Sequence, residues 1–109
     1  MAYYLVQAAY TPQSMAALVQ SPQDRPRMVR SVIEKLGGTV ESFWLAFGDY
    51  DVVLIVQMPN DQTMAAFSMS ASAGGGLRAI RTTPLLTWEE GMLAMKQAGE
   101  AGYRPPSGS

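Results

Sequence analysis

The sequence predicts an α+β domain in which two interleaved β-α-β units build one four-stranded antiparallel sheet. Three observations carry that expectation. Strand-like and helix-like patterning alternate in the order β-α-β-β-α-β, with one more helical segment at the end. Two of the strand runs are separated only by Gly48-Asp49, so they pair as a hairpin, because a parallel crossover needs a dozen residues or more. And 109 residues accommodate one hydrophobic core and no second.

Tyr3 to Tyr10 is rich in aromatic and apolar residues and is closed by Thr11-Pro12, the signature of a strand. Thr11 suits a helix N-cap and Pro12 the first helical position. Met15, Leu18 and Val19 then recur at helical spacing until Ser21-Pro22. In the next segment Met28, Val29, Val32, Ile33 and Leu36 form an apolar stripe, with Arg27, Arg30, Glu34 and Lys35 on other faces. Its start is decided by Pro26. With Ser21 as cap, that proline removes a hydrogen bond inside the helix; with Asp24 as cap, it falls in the tolerant first turn, and Asp24 is preferred. Gly37-Gly38 stops the helix.

Thr39 to Phe47 and Tyr50 to Met58 are the hairpin strands. Strict alternation along the first of them places Trp44 with Val40 on one face and Phe43 with Phe47 on the other. Val52-Val53-Leu54-Ile55-Val56 is apolar on both faces, the pattern of a central strand covered on each side. Asn60 or Asp61 caps a helix from about Gln62 to Ala73 with Met64, Phe67 and Ala71 inward, and Gly74-Gly75-Gly76 ends it. Leu77 to Thr83 is the fourth strand, resumed after Pro84 by Leu85-Leu86. Thr87-Trp88-Glu89-Glu90 matches a capping box and opens a short last helix with Met92, Leu93 and Met95. Gly99 to Ser109 reads as a mobile Gly/Pro/Ser tail, so the domain is expected over residues 1–98 and the tail over 99–109. The plan is the ferredoxin-like split β-α-β, with both main helices on one face of the sheet. The two-sided third strand then calls for cover on the other face, and a second copy of the chain, sheet on sheet, supplies it.

Composition narrows the chemistry. Eight Lys+Arg against nine Asp+Glu give a net charge of -1, which argues against a nucleic-acid partner. There is no cysteine and no histidine. That removes disulfides, thiol and imidazole catalysis, and haem or zinc held by those residues. No run approaches the ~20 apolar residues of a membrane span, and the N-terminus has no basic stretch before an apolar one, so a cytoplasmic protein without membrane contact is expected. Neither cofactor nor metal is expected. Met64, Met69, Met92 and Met95 read as adaptable core filler rather than Cu(I) ligands. Gly74-Gly75-Gly76 lacks the lysine and following helix of a phosphate loop. Arg25, Arg27 and Arg30 read as a solvated helix face, with phosphate contact as the alternative.

At Phe47-Gly48-Asp49-Tyr50-Asp51-Val52-Val53 the chain resembles the GYD-domain family of small bacterial proteins, whose Gly-Tyr-Asp signature takes the form Gly48-Asp49-Tyr50-Asp51 here. Further matching pieces are Tyr10-Thr11-Pro12-Gln13, Ser21-Pro22, Leu36-Gly37-Gly38-Thr39-Val40, Met58-Pro59-Asn60-Asp61 and the strand from Leu77-Arg78 to Arg81-Thr82. They run in order from about Tyr4 to Glu90, and it is the ordered set that is specific. The resemblance implies a dimeric α/β-barrel and no particular activity. Pro26 departs from the family's pattern.

Five residues are candidates for a ligand site: Tyr4, Trp44, Tyr50, Asp51 and Arg81. Tyr50 and Asp51 set a phenol and a carboxylate at the hairpin, where they serve either the turn or a cavity mouth. Arg78 and Arg81, three apart, face opposite sides of their strand; a salt bridge or an anionic ligand can occupy either one. Two functions follow. One is a non-catalytic module that binds a small organic ligand or a protein partner as a homo-oligomer. The other is a cofactor-independent enzyme of the dimeric α/β-barrel type, with Asp51 as base, Tyr50 as oxyanion donor and Arg81 beside them.

Overall fold

The computed structural model describes residues 1–107. The alternating apolar residues of Ala2–Tyr10 form β1. Thr11 caps α1 (Pro12–Gln20), its Oγ1 accepting the Ser14 N–H at 3.1 Å. α2 (Arg25–Lys35) begins where the proline argument places it: Asp24 Oδ1 accepts the Arg27 N–H at 3.2 Å and Pro26 lies in the first turn. Gly37 takes φ +87° to leave the helix. Gly38 is glycine for a different reason: a Cβ there would collide with Met58 Sδ and the Gln57 carbonyl oxygen. β2 (Thr39–Leu45) and β3 (Val52–Met58) form the hairpin. Asn60 Oδ1 accepts the Thr63 N–H at 2.9 Å and so caps α3 (Asp61–Ala73). β4 (Leu77–Leu85) and α4 (Trp88–Glu100) complete the chain, α4 opening with the expected Thr87–Glu90 capping box.

The strands pair antiparallel in the order β2-β3-β1-β4. β1 and β3 are central, and register fixes the two faces of the sheet. Tyr4, Val6 and Ala8 stand opposite Val56, Leu54 and Val52, and with Met58 they form the buried face. Ile33 of α2 and Met64 and Phe67 of α3 close over it. At about 25 cal/mol per Å² of apolar surface, this layer supplies most of the driving force for folding.

The structure departs from the sequence expectations in four places. The hairpin loop spans residues 46–51 instead of two residues. The Asp51 backbone is taken up by the Ala8 carbonyl (N···O 2.8 Å) and the Ala46 N–H (2.7 Å), which leaves residues 47–50 to turn and Phe47 fully exposed. A β-bulge between Val40 and Ser42 breaks alternation in β2. Val40 and Phe43 therefore share the buried face, opposite Val56 and Leu54, and Trp44 alone turns to the other side opposite Val53. β4 runs through Pro84 without interruption, because an edge strand tolerates a missing N–H. As two main helices on one face imply, β3 is buried on one side within the chain: Val53 and Ile55 are half-buried on a face that α1, α2 and α3 leave open. Finally, α4 continues through Gly99 to Glu100, into the expected tail, and buries none of its residues. Trp88 is 76% exposed, and Met92, Leu93 and Met95 are also exposed. The radius of gyration, 17.7 Å, exceeds the roughly 13 Å of a compact chain this long, so α4 extends away from the body. Residues 101–107 are exposed without regular structure, and the last two positions of the expected tail lie outside the described residues. Among the described residues no helix is long and apolar enough to cross a membrane.

Candidate functional site

A cavity of about 390 Å³ opens between the sheet and its helices, a size in the range of small-molecule sites. Its floor is the buried face of the sheet: Val6 and Ala8 of β1, Val52 and Leu54 of β3, Ile80 of β4. The walls are Leu18 of α1, Met28, Val29 and Val32 of α2, and Phe67 and Ala71 of α3. The cavity exists because α1 and α2 stand apart from α3. The break at Ser21-Pro22 ends α1 early, and Gly74 and Gly76 at the foot of α3 put no side chain into the gap. The Thr11 N–H to Gly76 carbonyl bond, 3.0 Å, ties the end of β1 to the entry of β4 and holds this end of the chamber. Polar side chains are few: Tyr10 at the end of β1, Ser14, Arg25 and Ser70 on the helices, and Gln23 just before α2. The Ser14 Oγ accepts from the Thr11 hydroxyl at 2.9 Å, so its own proton remains free to donate. An apolar floor with a few polar groups above it suits an organic ligand with an apolar body.

None of the five sequence candidates lines this cavity. Tyr4 lies in the core, 2% exposed, beneath the start of α3. Its hydroxyl donates to the Asp61 carboxylate. That hydrogen bond, together with burial and the Asp61 charge, pushes the Tyr4 phenol up to about 12. Asp51 accepts the Tyr10 N–H on its Oδ2 at 2.8 Å, fastening the hairpin loop to the end of β1. Tyr50, half-buried, sits beside it in the loop. Arg78 Nη2 donates to the Asp49 carbonyl at 3.3 Å. Arg81 and Trp44 stand on the open face at opposite edges, in one transverse row: Trp44 opposite Val53, Val53 opposite Gln7, Gln7 opposite Arg81. No hydrogen bond or ion pair joins Arg81 to Tyr50 or Asp51 among the described residues. Nor do the described residues hold any group of three or more acidic side chains placed to bind a metal ion.

The sequence reading missed the cavity-lining polar groups. Arg25 appeared as one of three helix arginines, and only its position in the first turn beyond a proline-marked break distinguishes it. The void itself depends on the spacing between helices, which no pattern along one chain encodes.

The same arrangement of sheet and helices is found in solved structures. MtbAldR matches with a TM-score of 0.57 at 13% identity, over 79% of this chain and 53% of that one, so this chain spans about half its length. The C-terminal domain of the MgtC protein from Mycobacterium tuberculosis matches with a TM-score of 0.56 at 13% identity, over 78% of this chain and 88% of that one. TTHA0845 from Thermus thermophilus matches at 0.53 and 16% identity, over 80% and 95%. At such identities the likeness is one of fold, the ferredoxin-like β-α-β domain. No curated protein matches the chain. A family model, however, matches residues 4–95, a span that takes in the hairpin, nearly all of the sheet and the three helices that wall the cavity, and by it the chain belongs to the GYD domain family.

Proposed function

We propose that this GYD domain is a non-catalytic module that binds a small organic ligand and works as a homo-oligomer in the cytoplasm. The observation that carries the reading is the apolar cavity of about 390 Å³ on the helix side of the sheet. Its lining holds Tyr10 and Arg25 but no carboxylate or imidazole to serve as a general base, and the three residues of the enzyme alternative, Tyr50, Asp51 and Arg81, stand outside it. The test is titration with the uncharged fluorescent probe N-phenyl-1-naphthylamine. The wild type should bind it with a blue-shifted emission, and Ala71→Trp or the milder Ala71→Phe, which fill the wall, should abolish binding while retaining the circular dichroism of the native fold. Equal binding by wild type and both variants, or none by the wild type, overturns the reading.

The open face supports the homo-oligomer. Leu5, Val53 and Ile55 lie at its centre, half-buried and without a covering element. Face-to-face sheets pack nearly aligned. A two-fold axis parallel to the strands then sets each copy's Trp44 against the other copy's Arg81, since the two occupy the same row at opposite edges. That pairing is a cation–π contact across the interface. Light scattering should give a dimer for the wild type and a monomer for Ile55→Asp, because a buried unpaired carboxylate is not tolerated there. A monomeric wild type at micromolar concentration overturns the oligomer.

A further inference from the structure

We infer that the cavity takes an anionic amphiphile, a small monocarboxylate with an apolar body, whose head is held by Arg25 at the rim. The inference rests on the cavity reading above and adds the chemistry of the ligand. Arg25 is the one charged side chain in the lining, and no Asp or Glu accompanies it. It is half-buried, and its guanidinium has no ionic or hydrogen-bond partner among the described residues. The acid next to it in sequence is committed elsewhere, since Asp24 caps the Arg27 N–H. A partly desolvated guanidinium facing an apolar chamber lacks a counter-ion, and its planar fork matches a carboxylate in two parallel hydrogen bonds. The Ser14 hydroxyl and the Gln23 amide border the same chamber and can complete the donor set.

The lining settles the rest of the ligand. Leu18, Val29, Val32 and Ile80 line the chamber only half-buried, so an inorganic anion at the rim would leave that apolar surface against water. An apolar body displaces the water and gains the contact area. Arg27 and Arg30, by contrast, border a shallow surface with Ser31, Glu34 and Lys35, which has no apolar side chain against which an amphiphile could bury its body.

Decanoate, 1-decanol and inorganic phosphate are the probes, measured by isothermal calorimetry and by displacement of N-phenyl-1-naphthylamine at low and moderate salt. The wild type should bind decanoate about tenfold more tightly than decanol and phosphate not measurably. Added salt should narrow the gap. Arg25→Gln should bring decanoate down to the decanol level while leaving decanol and the naphthylamine probe unchanged. Arg25→Lys should keep part of the preference, because it retains the charge and loses the fork. Equal binding of decanoate and decanol by the wild type, an Arg25→Gln variant that keeps the preference, or phosphate binding as tight as decanoate, each overturns the anionic-head inference and leaves the cavity reading standing. Failure of the naphthylamine probe and both decyl compounds to bind overturns the two together.

Discussion

Replacing Tyr4 by Phe removes one oxygen from the core and nothing else. The Tyr4 hydroxyl donates to the Asp61 carboxylate, and the ring packs at 2% exposure among Val56 and its neighbours. Hydrogen bonds to charged groups contribute about 1.5–3 kcal/mol. Asp61 is exposed and regains water when the phenol is lost, so the lower figure applies. About 1.5 kcal/mol in a domain of this size lowers Tm by roughly 5–10 °C. The effect has a pH signature whose sign is fixed by linkage. The folded phenol titrates at about 12 against the ordinary 10. Below pH 10 both folded and unfolded chains hold the proton and the hydrogen bond contributes in full. Between pH 10 and 12 the unfolded chain releases the proton and the folded chain keeps it, so the wild type loses stability as pH rises. Tyr4→Phe lacks that loss. Urea unfolding at pH 8, 10 and 11.5 should therefore show a gap between wild type and variant that is full at pH 8 and shrinks towards pH 11.5. A gap that stays constant over this range, or equal stabilities at pH 8, would refute the assignment of the phenol to Asp61.

Four further outcomes follow from the geometry. Gly38→Ala forces a Cβ against Met58 Sδ and a backbone carbonyl and should cost about 2–3 kcal/mol in chemical denaturation, more than an exposed glycine substitution such as Gly48→Ala. Thr87→Ala removes a cap worth about 1 kcal/mol from a helix on which nothing is buried, so helical ellipticity should fall while the Tm of the sheet stays put. The Glu90 carboxyl of the same capping box is held below its usual range chiefly by the Thr87 N–H, so α4 should also lose helicity as pH falls through that lowered value. Trp44→Ala and Arg81→Ala should each weaken the proposed dimer in sedimentation equilibrium, and the double variant should weaken it by less than the two effects added.

Much of this architecture is legible in the sequence because its signals are local. Thr11-Pro12, Asp24 with Pro26, Asn60 and the Thr87–Glu90 box each act within one helical turn, and each marks the helix start found in the structure. The hairpin is legible too, since two strands so close in sequence have one way to pair. What period-two reasoning misses is the bulge at Glu41: the extra residue turns Val40 and Phe43 to the same face, and nothing in Val-Glu-Ser-Phe announces it. The half-open third strand, by contrast, is legible. Its apolar residues on both faces are plain in Val52 to Val56, and within one chain only the even-numbered side is covered. The candidate site was hardest to read. Aromatic and charged residues drew attention to Tyr4, Trp44, Tyr50, Asp51 and Arg81, whereas the chamber is lined by ordinary aliphatic residues. Its existence depends on how far apart two helices rest on a sheet.

The central claim, that a ligand enters between sheet and helices, is tested most directly by methyl-resolved NMR during titration with N-phenyl-1-naphthylamine. The methyl groups of Val6, Leu54 and Ile80 line the chamber, and those of Leu5, Val53 and Ile55 lie across the same sheet on its open face. The account predicts saturable shifts at Val6, Leu54 and Ile80, with Leu5, Val53 and Ile55 unmoved. Shifts confined to Leu5, Val53 and Ile55 would place the ligand on the open face and contradict it.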